Sequence, residues 1–137
     1  MNRDKLIFYL QRAEPEEISI LCQQIRQQAD IRIIQQPTEQ TLMLPLVDPV
    51  NQGSFYGGEV LVTSAIVRVN EVDGWSMIMD DQSELACNIA ILDGAFTACI
   101  EKKAIKSLAA KGREHHEQDL RDTESQVSAT RVSFDLM

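Results

Sequence analysis

Adjacent His115 and His116, followed by Glu117, are the first residues whose types suggest chemistry, either metal ligation or acid–base work. On a helix, neighbours point about 100° apart, so the two imidazoles cannot hold one ion without outside ligands. The zinc-protease spacing also fails, because Leu120 stands where a second His would follow Glu117. The pair therefore reads as a solvated helix face. Asp80-Asp81 is the next candidate, since paired acids can bind a divalent cation through a bound triphosphate. Asp81-Gln82-Ser83-Glu84 also fits a capping box that opens a helix, which explains Asp81 without a metal. Gly57-Gly58 could form a backbone nest for an anion. No phosphate-loop pattern surrounds the two glycines, so a tight turn that aims Phe55 and Tyr56 inward is expected instead.

Asp93 is the most informative acid. It falls beside the apolar stripe of a predicted helix, on a small-residue face with Ala86 and Ala90. A carboxylate there needs a donor. Between Ile33 and Ile100 the one basic residue is Arg68, against nine acids, so an Arg68–Asp93 pair across a strand–helix interface is the expectation. Such a pair serves the fold first and a ligand second. The same charge imbalance repels polyphosphate and nucleic acid. Lys102, Lys103, Lys106, Lys111 and Arg113 then cluster, either complementing the C-terminal end of the preceding helix or receiving an acidic partner or phosphates. Cys22, Cys87 and Cys99 are odd in number and show no close pairing, which predicts reduced thiols in a cytoplasmic protein. No nucleophile–base arrangement is visible, so no residue is assigned a catalytic, cofactor-binding or metal role.

The elements that must position these residues follow from periodicity. A chain of 137 residues with 44% hydrophobic content fits a single domain, 1–137, with one core. No apolar run approaches the ~20 residues a membrane span needs, and the N-terminal stretch lacks a cleavage site. Lys5 to Arg12 is a short predicted helix. Pro15, Glu16 and Glu17 open a second one, with Ile18, Leu21, Cys22 and Ile25 at helical spacing. Ile31 to Ile34 and Thr41 to Val47 read as strands separated by a turn at Pro37-Thr38, and Pro45 marks an edge strand or a bulge. Glu59 to Val69 is apolar on both faces, which predicts a central strand covered on both sides. Asn70 to Gly74 reads as a hairpin loop and Trp75 to Met79 as the returning strand. A helix follows, with Leu85, Ile89, Leu92, Phe96 and Ile100 as its stripe. Lys103 to Glu124 is helical with a break at Gly112. Val132, Phe134 and Leu136 alternate with Arg131, Ser133 and Asp135, which predicts a last strand over Val127 to Leu136. That strand closes this domain's own sheet or adds to a partner's. The fold class is α+β, a small antiparallel sheet packed against helices.

Three blocks in order carry a resemblance: GGEVLVTSAIVRV from Gly57 to Val69, ILDGA from Ile91 to Ala95, and VSATRVSF from Val127 to Phe134. They resemble the PhnG family, subunits of the carbon–phosphorus lyase system that degrades phosphonates. The resemblance covers roughly half the chain and departs from the family pattern at Asp135, where an aromatic is expected. It implies a subunit of a core complex with the I-, H- and J-type subunits, working with the L-type protein, and it allows a homodimer within that complex. It also implies assistance in replacing the adenine of ATP by a phosphonate, giving a ribose 1-phosphonate 5-triphosphate, with ATP as substrate of the assembly and no cofactor on this chain. No catalytic residue carries over. The matching positions are Gly58, Glu59, Val67, Arg68, Asp93, Arg131 and Phe134, and Arg68, Asp93, Arg131, Val132 and Phe134 are the candidate partner or structural contacts. The residues alone leave two other classes open: a small metal- or ligand-dependent enzyme using Asp80, Asp81 and His115, and a free-standing acidic adaptor.

Overall fold

The computed structural model describes the backbone of residues 2–47, 50 and 54–135, and the side chains of 2–43, 50 and 57–127. Two helices come first, α1 (Arg3–Leu10) and α2 (Pro15–Gln28). Three strands follow, β1 (Ile31–Val47), β2 (Ser54–Val69) and β3 (Val72–Met79), and then α3 (Ser83–Thr97) and α4 (Lys102–Asp135). The strands form one antiparallel sheet in the order β1-β2-β3. The arrangement is α+β, as its residue patterns predict.

Local chemistry explains the helix starts. The Asn2 carboxamide accepts the Lys5 amide at 2.9 Å and caps α1. Pro15 opens α2 with Glu16 and Glu17 in its first turn, and Ile18, Leu21, Cys22 and Ile25 are its buried face. The Asp81 capping box does not form. Gln82 precedes α3 without a side-chain cap. Thr63 of β2 takes over: its hydroxyl accepts the Gln82 amide at 3.2 Å and donates to the Asp80 carbonyl at 2.6 Å.

Strand β1 corrects the two-strand expectation. It is one 17-residue edge strand, because bulges absorb both prolines. Gln36 and Pro37 together face Ala65 between the Gln35–Ile66 and Thr38–Ser64 pairs. Gly57 and Gly58 likewise face a single residue between the Met43–Glu59 and Pro45–Tyr56 pairs. The Gly-Gly is therefore a bulge within β2 and not a turn, and Gly58 supplies the φ of 147°. The side chains of Phe55 and Tyr56 lie outside the described residues. The hairpin loop is also shorter than predicted: Val69 pairs with Val72, leaving Asn70-Glu71, and Asn70 takes a φ of 56°.

Strand β2 is central, but only one face is closed. Thr63, Ala65, Val67 and Val69 are buried beneath α3. On the other face Val62 and Ser64 are buried, whereas Val60 and Ile66 are half-buried and Arg68 is exposed. Leu42, Trp75 and Met79 beside them are also exposed, so coverage on both sides is not what the sheet has.

Helix α3 is the core of the protein. From Ile89 to Phe96 every residue is buried. Gly74 lies inside β3 rather than in the loop, because α3 crosses there at backbone contact: a Cβ on Gly74 would overlap the Ala90 carbonyl oxygen and the Gly94 amide. Helix α1 shields the open edge of β3. Arg3 Nη2 donates to the Asp73 carbonyl at 2.8 Å, and Gln11, just after the helix, donates to the Met77 carbonyl at 3.4 Å. Eight residues of helix span about 12 Å and four of strand about 13 Å, so the two donors match the spacing of the edge carbonyls. Edge groups bonded in this way are not free to pair with another chain.

Helix α4 is continuous through Gly112 and on to Asp135, so neither the break nor the terminal strand exists. Gly112 lets the chain at Tyr9 approach, since a Cβ there would overlap the Tyr9 carbonyl oxygen. The residues after Thr130 continue α4 instead of starting a strand. Adding them to an existing helix avoids the cost of a new nucleus.

Candidate functional site

Among the described residues the buried charge is Asp93, fully enclosed on α3 beneath β3. Arg3 grips it, donating from Nε at 3.0 Å and from Nη2 at 2.6 Å to its two oxygens. The Trp75 amide donates the third bond at 3.0 Å. The Arg68–Asp93 pair is therefore overturned. Val67 and Val69 face the core, so Arg68 between them turns to the opposite face of the sheet. There it pairs with Asp73, its direct cross-strand neighbour, at 2.8 Å. Strand parity in the sequence carried that signal, whereas Arg3, ninety residues from Asp93, offered none. The carboxylate of Asp93 holds Arg3 above its ordinary pKa, through the hydrogen bond first. Arg68 in turn holds the Asp73 carboxyl below its usual range. Asp93 already accepts three strong bonds, two of them from a guanidinium. It works as a brace joining α1, β3 and α3.

A groove of about 540 Å³ runs between α2, β1 and α3, lined among others by Cys22, Arg26, Ile33, Pro37, Glu84 and Cys87. Burial pushes the Cys22 thiol up to about 12. The Cys87 thiol is also raised by burial, with Arg26 opposing the shift. Cys22 donates to the Asn88 carbonyl at 3.3 Å. Both sulfurs stay protonated at neutral pH and are poor nucleophiles. Between β1 and the turn before α3, the Glu39 and Asp81 side chains share a hydrogen bond. That bond, then the Asp81 charge, raises the Glu39 carboxyl above its usual range. A raised folded-state pKa contributes stability below the unfolded value, about 4.3, which is lost as pH rises through the folded value. Thermal unfolding of Glu39→Gln against the parent from pH 4 to 7 should show the parent losing ground as pH rises, with the variant flatter; parallel profiles would mean the two acids do not meet.

The histidines and part of the basic cluster find structural partners. The His115 Nδ1–H donates to the Arg12 carbonyl at 2.9 Å. His116 packs edge-on against Phe8 with centroids 5.0 Å apart, and the Arg12 guanidinium covers the same ring at 3.8 Å. His115 thus stays on an exposed face, as its spacing suggests, while His116 is half-buried against α1. Lys111 pairs with Glu17 at 3.1 Å, Arg113 pairs with Glu117 at 3.1 Å, and Lys102 lies over the Phe96 ring at 5.1 Å. The basic cluster is in part consumed within the chain. Among the described residues no three His, Cys, Asp or Glu side chains gather to hold a metal ion. Arg131, Val132 and Phe134 lie in α4 and not in a strand, and their side chains fall outside the described ones.

Among the described residues no helix is long and apolar enough to cross a membrane. No curated protein matches the chain. A family model does, and over its whole length. By that match across residues 1–137, the chain belongs to the PhnG family, described as phosphonate metabolism protein PhnG.

Proposed function

We propose that this chain is an accessory subunit of the carbon–phosphorus lyase core complex, acting beside the I-, H- and J-type subunits and the L-type protein. In that assembly the phosphonate oxygen replaces adenine at the ribose of ATP: the N-glycosidic bond breaks, a carbon–oxygen bond to the phosphonate forms, and adenine leaves with a proton. ATP is the substrate of the assembly, and this chain helps to form or hold the site. The full-length family match carries the reading. Support comes from the interior, where the most deeply buried charge is spent on a brace. It also comes from Cys22 and Cys87 of the groove between α2, β1 and α3, whose thiols are held protonated.

The isolated chain is expected neither to hydrolyse ATP nor to alter a phosphonate. The check is adenine and phosphate release by the purified protein. Turnover abolished by Asp80→Ala or His115→Ala would overturn the accessory role. Co-expression with the I-type subunit is expected to yield a complex that survives purification, and its failure to form would count equally against the proposal.

A further inference from the structure

From Glu117 to Val127 every side chain of α4 is exposed, although the helix continues unbroken. The body of the protein ends beneath it. Ile105, Ala109, Gly112 and His116 form its inward stripe, the first three buried and the fourth against Phe8. The next residues on that stripe are Leu120, Thr123 and Val127, at steps of four, three and four. Leu120 and Val127 are each 51% exposed. The seam that meets α1 at Phe8 therefore runs on past the last buried turn of α4. A helix segment of this length and composition gains little stability alone in water.

The charges flanking the seam are all of one sign. Asp119 borders it on one side and Glu117 and Glu124 on the other. Arg121, the one basic residue from 117 to 127, falls toward the far face and donates to Gln118 at 3.1 Å. Glu117 is held by Arg113, at the boundary with the body. A second copy would bring the same acidic borders together in a chain of net charge −8. The complementary surface is an apolar groove rimmed by lysine or arginine.

We infer that the α4 overhang docks, through Leu120 and Val127, into a basic-rimmed apolar groove on another subunit of the assembly proposed above. This is helix-in-groove recognition, in which the apolar seam supplies affinity and the acidic borders fix register and orientation. It rests on the reading of the chain as a subunit.

The test co-expresses the full chain with the I-, H- and J-type subunits and measures retention and amide exchange. The parent should be retained, and amides 117–127, fast-exchanging in the isolated chain, should become protected in the complex. Leu120→Ala with Val127→Ala, which keeps helix propensity, should weaken retention about tenfold or more. Asp119→Lys with Glu124→Lys should weaken it too, while the melting temperature of the isolated chain hardly moves in either variant. A complex that forms with full retention of both variants and no new protection would overturn the docking inference and leave the subunit role standing. No complex at all would overturn both. An isolated chain that dimerises, and loses the dimer on Leu120→Ala with Val127→Ala, would assign the seam to a second copy and overturn the inference.

Discussion

Replacing Arg3 by alanine is expected to destabilise the protein by about 3–5 kcal/mol, because it strands a fully buried Asp93 carboxylate. The exposure of Arg3, 43% of its side chain, places the effect at the lower end, since water can reach part of the gap. The Asp73 carbonyl on the β3 edge loses its donor in the same change. Asp93→Ala should cost a similar amount, leaving the Trp75 amide without its acceptor. The two losses should not add: in a double-mutant cycle the pair Arg3→Ala and Asp93→Ala should show a coupling of roughly 1–3 kcal/mol. Arg68→Ala combined with Asp93→Ala should be additive, because Arg68 serves Asp73 on the opposite face. Coupling of Asp93 to Arg68, and none to Arg3, would refute the brace.

A second large effect is expected at the glycine crossing. Gly74→Ala places a methyl group into backbone atoms of Ala90 and Gly94, neither of which can rotate away as a side chain would. Overpacking of a well-filled core typically costs about 1–3 kcal/mol, and the rigid neighbours put this site at or above that range. Gly112→Ala meets the Tyr9 carbonyl in the same manner, but at the end of α1, where the chain can shift. Chemical denaturation should therefore rank Gly74→Ala as the more damaging of the two. A Gly74→Ala protein as stable as its parent would mean that α3 does not cross β3 at backbone distance.

Much of the fold was legible because it depends on local pattern. The spacing of Ile18, Leu21, Cys22 and Ile25 identifies a helix and its buried face, and the run from Glu59 to Val69 identifies the central strand but not which of its faces is closed. What was misread shares its chemistry with an alternative. Gly57-Gly58 suits a bulge as well as a turn, because both need the backbone freedom of glycine, and only the partner strand decides. Alternation over Val132, Phe134 and Leu136 does not outweigh extension of a helix already formed, which needs no new nucleus. The site residues show the same division. Asp93 was recognisable as an acid needing a donor, but its donor enters from the N-terminal helix, a contact that periodicity cannot foresee. The open seam after His116 could not be found before the end of the body was known.

Adenine release tests most directly the proposal that this member of the PhnG family assists a phosphonate-dependent exchange at the ribose of ATP. The I-, H- and L-type proteins would be incubated with ATP and a simple alkylphosphonate, with and without this chain, and free adenine measured over time. Phosphonate-dependent release should appear only when the chain is present, and should fall with Arg3→Ala as the folded fraction falls. Equal release without the chain, or release by the chain alone, would contradict the account.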